Sequence, residues 1–247
     1  MQTLVDIGIV VLAYVFGSIP FGLLIVKLKT GKDIREVESG RTGGTNALRA
    51  AGLLAGLLTA LLDILKGAAS VWVAQAISPN NDWLHILAPI AAIIGHNHSI
   101  FLPERDENGK LIRLRGGAGG APSVGGAIGL WPPSILIIPP LGALTFFTIG
   151  MASITTMAVA LFVIIVFAIR AALGLMPWID VLYGVAAELL LMWALRPNIR
   201  KLLAREERVV GMSLNGWIRK KREESKGRVE KDQEVIGDLQ VRHRIGL

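Results

Sequence analysis

Apolar residues run through seven stretches of the chain, at about 4–26, 52–77, 84–101, 118–130, 134–149, 152–174 and 177–195, and none of these contains more than two charged side chains. Polar or Gly/Pro-rich breaks separate them. Several stretches reach the roughly 20 residues that cross a bilayer as a helix. The stretches on either side of Trp131-Pro132-Pro133 are shorter, and the double proline predicts a tight hairpin between two helices. The pattern therefore predicts an all-α, polytopic membrane protein with about seven transmembrane helices.

Composition removes the soluble alternative. Of 247 residues, 52% are hydrophobic and only 18% charged, and the mean hydropathy is +0.54, too apolar for a soluble domain of this length. The first stretch, Leu4 to Val26, lacks the basic n-region and cleavage site of a signal peptide and is read as a span. Charge then sets the orientation. Six Lys and Arg fall in 27–51, four in 102–117 and 14 from Arg196 onward, leaving only Lys66 and Arg170 of the 26, both inside spans. The segments 78–83, 131–133 and 175–176 carry none. The positive-inside rule places the N-terminus outside and the C-terminus in the cytoplasm, as in a multi-pass protein of the cell membrane. Residues 1–207 form the membrane domain and 208–247 a tail of mixed charge. Within that tail Gly216-Trp217-Ile218-Arg219-Lys220-Lys221-Arg222 fits either a membrane-surface anchor or a solvated helix. Basic flanks are what membrane orientation alone produces, so they do not indicate nucleic acid. Nothing in the sequence fixes an oligomeric state.

In this orientation the Gly-rich segments lie at the cytoplasmic starts of helices, where free amides and the helix dipole favour anions. Ser39-Gly40-Arg41-Thr42-Gly43-Gly44-Thr45-Asn46 precedes the second span, with Thr45 or Asn46 placed to cap it and Arg49 close behind. Arg115-Gly116-Gly117-Ala118-Gly119-Gly120 precedes the fourth, and Gly150-Met151-Ala152-Ser153 the sixth. Two Gly-rich loops flanked by arginines at one depth predict binding of an anionic ligand, although glycines also serve close helix packing. Asp63 and Lys66 share a face inside the second span, as a mutually neutralising pair. His96 ends the third span, as a base, an anion ligand or a cap. His85 and His243 are expected to be interfacial and solvated. Absence of cysteine and the scatter of four histidines leave no metal signature.

From about residue 12 to residue 207 these features resemble the PlsY family, the bacterial integral-membrane acyl-phosphate:glycerol-3-phosphate acyltransferases. Gly17-Ser18-Ile19-Pro20-Phe21-Gly22 is similar to that family's first span, and Ser39 to Asn46 to its G-S-G-N-x-G-A-T-N. Asp63-Ile64-Leu65-Lys66-Gly67 matches its D-x-x-K-G, Gly95-His96 its G-H-x-x-P-x-F, and Arg115-Gly116-Gly117 the start of its K-G-G-K-G-V-A-T.

The resemblance implies acyl transfer from acyl phosphate to the 1-hydroxyl of glycerol 3-phosphate, giving lysophosphatidic acid for phospholipid synthesis. No metal or other cofactor is implied, because the donor is already an activated anhydride. It further implies catalytic roles for Ser39, Arg49, His96, Ser153 and Asn198, and substrate contacts from Gly40, Gly43, Thr45, Asn46, Arg115, Gly116 and Gly117. The chain departs from the pattern at several points. Ala118 stands for the second lysine, Pro122 for a threonine, Ser99 for the proline, Leu195 for the histidine of H-R-E-N-I, and Phe147-Thr148 where an arginine is expected. Arg113 or Arg115 is the expected compensating cation. The departures keep open a catalytically lost relative, and a transporter or binding protein for a phosphorylated lipid precursor is the alternative from another class.

Overall fold

The computed structural model describes residues 1–225. His243 and most of the predicted tail lie outside that range. Each of the seven apolar stretches is helical. The first is one 29-residue path broken in two, α1 (Gln2–Ser18) and α2 (Phe21–Thr30), because Pro20 cannot continue the amide ladder. There follow α3 (Gly44–Ala51), α4 (Leu53–Ile77), α5 (Asp82–Asn97), α6 (Gly120–Leu130), α7 (Ile138–Ile149), α8 (Ala152–Ala172) and α9 (Trp178–Leu203), and residues 214–225 form a further helix, α10. Five segments are long and apolar enough to cross a membrane: Gln2–Thr30, Leu53–Ile77, Pro132–Ile149, Ala152–Ala172 and Trp178–Leu203. The other two stretches are α5, of 16 residues, and α6, of 11. At 1.5 Å per residue α6 rises only about 16 Å. It stops at Trp131, and a 3-10 turn over Pro132–Leu136 leads into α7.

Two elements were not predicted. Residues 103–114 form a hairpin, β1 (Pro103–Arg105) paired antiparallel with β2 (Leu111–Leu114). Asp106 builds its turn by accepting hydrogen bonds from the amides of Asn108 and Lys110, and Gly109 takes the left-handed conformation at φ 78°. α3 is a separate amphipathic helix and not the start of the second span. Gly52, at φ 85° and ψ 178°, breaks the chain between α3 and α4.

The bundle closes through small residues. A Cβ on Gly125 would lie 1.9 Å from the carbonyl oxygen of Ile64, and one on Gly67 2.2 Å from that of Pro122, so α4 and α6 pack backbone to backbone. α1 meets α5 in the same way at Gly17 and Gly95. The main core, around Ile93, Val124, Val163, Phe167, Tyr183 and Leu191, lies between α5, α6, α8 and α9. Leucines of α4 such as Leu57 and Leu61 remain exposed, whereas Asp63 and Lys66 are fully buried, with Lys66 Nζ 3.0 Å from Asp63 Oδ1. Apolar outside and paired charge inside is the distribution a lipid solvent selects. His85 corrects an expectation: it is buried, with Nε2 2.9 Å from the Ser78 carbonyl oxygen.

Candidate active site

A cavity of about 450 Å³ opens at the end of the bundle where α3, α4, α6, α7, α8 and α9 meet. One end is polar, lined by Ser39, Arg41, Thr45 and Arg49 on one wall and by Ser153, Asn198, Lys201 and Glu207 on the other. The remainder is apolar, with Leu57, Ala60 and Ile64 of α4 facing Pro139, Ala143 and Phe146 of α7. α4 and α7 have little direct packing between them, and Leu57 and Phe147 are exposed at the cavity's edge. The cavity thus joins a charged recess to a lateral apolar opening.

The loop before α3 is folded by Asn46. Its amide nitrogen lies within 3.1 Å of the carbonyl oxygens of Ile34, Val37 and Arg41. Neither Thr45 nor Asn46 caps a helix, since α3 starts from Gly43 without a side-chain cap. Asn46 instead fixes the path that brings Ser39 and Arg41 to the cavity. Arg49, in the last turn of α3, lines the cavity and makes no hydrogen bond or ion pair among the described residues. Burial draws its pKa below the ordinary arginine value, and the charge of Glu207 opposes that.

Arg41 was not predicted as a site residue, yet it is the most connected cation here. Its Nη1 donates to the Gly117 carbonyl oxygen at 3.0 Å, and its Nη2 to the Ala194 carbonyl oxygen at 2.6 Å and to Asn198 Oδ1 at 3.3 Å. It ties the loop before α3 to the loop before α6 and to α9. Glu207 is the second omission. This buried carboxylate accepts from Ser153 Oγ at 3.0 Å and Asn198 Nδ2 at 3.2 Å. The sequence signal was weak in both cases, an arginine among glycines and one glutamate in a charged tail. Packing runs on past residue 207: Arg208 pairs with Glu38, and the Val210 amide donates to the Gly150 carbonyl oxygen at 2.7 Å.

His96 Nδ1 lies 3.6 Å from Asp63 Oδ1. Its Nε2 is covered by Gly117, where a Cβ would come within 1.9 Å. The imidazole is held between a carboxylate and a backbone, and only its edge borders the cavity. Gly116 presses on the end of α5, with room for no Cβ beside the His96 and Asn97 carbonyl oxygens, and the Gly117 amide is committed to the His96 carbonyl oxygen at 2.9 Å. Neither glycine lines the cavity; Ala118, Gly119, Gly120 and Ala121 do. Gly119 enters α6 without a side-chain cap, which leaves the amides of Gly120 and Ala121, two residues that line the cavity, without a partner among the described residues.

Gly40, at φ 65°, packs against Arg115. Arg115 stays outside the cavity, with Nε 3.9 Å from Glu104 Oε2. Arg113 hydrogen-bonds the same glutamate and holds its carboxyl below the usual carboxylate range. Neither Arg113 nor Arg115 reaches the place of the absent lysine; their charge is spent on the hairpin. Of the charged groups lining the cavity, Glu38 pairs with Arg208 and Asp63 with Lys66, which leaves Arg41, Arg49 and Lys201 against Glu207. The recess is therefore cationic.

The family model for glycerol-3-phosphate acyltransferase matches residues 7–205. A glycerol-3-phosphate acyltransferase of Rubrobacter xylanophilus is 36% identical over 208 residues, covering 84% of this chain and 96% of the relative. One from Thermus thermophilus is 37% identical over 210 residues, covering 81% and 92%. Among solved structures, the glycerol 3-phosphate form of PlsY (YgiH), an integral membrane glycerol 3-phosphate acyltransferase, superposes with a TM-score of 0.71 at 27% identity, covering 83% of this chain and 96% of that one. Its lysophosphatidic acid form gives 0.70 at 25% identity, covering 84% and 96%. The chain belongs to the glycerol-3-phosphate acyltransferase family.

Proposed function

We propose that this chain transfers a fatty acyl group from acyl phosphate to the 1-hydroxyl of glycerol 3-phosphate, releasing lysophosphatidic acid and inorganic phosphate. The observation that carries this reading is the composite cavity: a cationic recess sized for phosphate groups continues into an apolar channel open to the side, where lipid lies. The hydroxyl oxygen attacks the acyl carbonyl carbon, the bond from that carbon to the phosphate oxygen breaks, and the hydroxyl proton leaves with the released phosphate. Because the donor is an activated anhydride, holding the two reactants in register and neutralising charge supply the acceleration.

Within this scheme Ser39, Thr45, Gly43 and Arg49 face the acceptor. The open N-terminus of α6 and the Arg41 guanidinium take the donor phosphate. Arg41 stands where the G-S-G-N motif has asparagine. Two of its hydrogen bonds end on the carbonyl oxygens of Gly117 and Ala194, each one residue before a departure from the motif, Ala118 for lysine and Leu195 for histidine. Two of the five guanidinium N–H groups remain free for an anion. Asn198 and Ser153 orient Glu207, which opposes the loss of charge that burial imposes on Arg41. His96 acts as a positioning residue.

Inorganic phosphate release by the purified protein, followed with and without glycerol 3-phosphate, tests the reaction. Acceptor-dependent release with matching lysophosphatidate is the expected result. Release that ignores the acceptor, or none from folded protein across acyl lengths, rejects it.

We further propose that the chain makes seven crossings of the cell membrane, with the cavity mouth at the cytoplasmic face. The basic segments 27–51 and 102–117 gather at that end, and α5 and α6 complete the count. The native chain has no cysteine, so single introductions are clean probes. In intact cells a membrane-impermeant maleimide is expected to label Asn80→Cys and to spare Asn108→Cys until the membrane is opened. The reverse pattern overturns the orientation.

A further inference from the structure

α10 lies beyond residue 205, where the family match ends, and none of the reaction chemistry needs it. It is nevertheless fixed at a definite depth. Asn215 Nδ2 donates to the carbonyl oxygen of Ile149, the last residue of α7, at 3.0 Å. Ser213 Oγ lies against Gly150, where a Cβ would come within 2.0 Å. Since Pro132–Ile149 is long and apolar enough to cross a membrane, these contacts put the start of α10 level with the end of that segment.

The helix has two unlike sides. Ser213 and Gly216 are buried toward the chain's own backbone. Leu214, Trp217, Ile218 and Lys221 share another face at the i, i+3, i+4, i+7 spacing, where Leu214 is 55% and Trp217 56% exposed among the described residues. Lys221 Nζ lies 5.0 Å from the Trp217 ring centroid, its stem along the apolar side and its charge at the rim. Arg219, Lys220 and Arg222 add three cations, against Glu223 and Glu224, of which Glu224 is 3.9 Å from Lys220. An indole and a leucine flanked by lysine and arginine, held at the end of a crossing helix, match the acyl boundary and negative headgroups of an anionic bilayer surface.

We propose that α10 is a docking surface for anionic phospholipid, lying in the interface beside the cavity mouth. The strap from Glu207 to Ser213 joins it directly to Ser153 and Asn198, so lipid on α10 and the polar recess share one short path of backbone. This surface stands on its own exposure, charge and depth, and it does not depend on the acyl-transfer reading.

Hydrogen exchange of the full-length protein in nanodiscs tests it. Amides of 214–222 are expected to exchange at least about tenfold more slowly in discs containing phosphatidylglycerol than in pure phosphatidylcholine, the effect of two or three cations meeting an anionic surface. High salt, or Arg219→Gln, Lys220→Gln, Lys221→Gln and Arg222→Gln together, should remove that difference, with exchange in phosphatidylcholine discs unchanged. Equal exchange in the two lipids, whether fast or slow, overturns the proposal. So does a difference that survives the quadruple substitution, which would assign the lipid dependence to another part of the chain.

Discussion

Arg49→Ala is expected to lower acceptor-dependent phosphate release by about a hundredfold to a thousandfold, the cost of deleting one preorganised charge at a developing anion. The geometry singles this residue out. Arg49 reaches the cavity from the last turn of α3 and has no carboxylate or carbonyl partner among the described residues, so its charge is not consumed by the fold. Nor is its position loose, because α3 packs on α4 and the loop before it is pinned by Asn46. Arg49→Lys keeps the charge but replaces a planar fork by a point, and should recover only part of the loss. The unfolding midpoint in detergent should move little for either variant, since no hydrogen bond or ion pair within the described residues is removed. A near-native rate for purified Arg49→Ala would displace the acceptor site from this wall of the cavity.

The membrane class, the seven helical stretches and the gathering of polar groups at one end were legible because lipid imposes a simple rule on sequence: long apolar runs, with charge confined to breaks. The breaks themselves were less legible. Pro20 kinks the first run and the WPP sequence ends α6, as proline sterics require. Residues 44–51, however, read as a lead-in to the second span and became a helix of their own, because Gly52, at φ 85°, breaks the helix at a point the apolar pattern alone does not mark. The hairpin at 103–114 carried a turn signal in Asp106-Glu107-Asn108-Gly109, but its strands are only three and four residues long, too short to leave a period.

The candidate site was legible as a set of segments and less so as roles. Glycine-rich sequence does not say whether a glycine faces a ligand or a neighbouring helix. Gly119 and Gly120 line the cavity, whereas Gly116 and Gly117 press on the end of α5. Arginines near a glycine loop are likewise ambiguous until partners are known: Arg113 and Arg115 are spent on Glu104, and Arg41 turns inward. Glu207 could not be assigned from its neighbours along the chain, because its partners, Ser153 and Asn198, reach it only through the folding of the strap.

Arg41 carries the second large prediction. If it supplies the cation that the loop before α6 and the end of α9 lack, Arg41→Asn should cost about a hundredfold or more in rate, and Arg41→Lys should rescue poorly because one ammonium cannot serve the Gly117 and Ala194 carbonyl oxygens and Asn198 together. Loss alone would not separate a phosphate ligand from a brace, since the same substitution takes from the Gly117 carbonyl oxygen its donor and unties α9 from the loop before α3. The triple variant Arg41→Asn, Ala118→Lys, Leu195→His separates them. Ala118 and Leu195 line the same cavity as Arg41, so the new lysine and imidazole side chains enter the recess vacated by the guanidinium. Recovery to within about tenfold of the native rate, with a shifted dependence on acyl phosphate concentration, would establish that one arginine replaces two groups on other elements. If instead Arg41→Asn unfolds at lower temperature but turns over at a native rate when cold, Arg41 is a brace, and the donor phosphate is held by the α6 amides and Lys201.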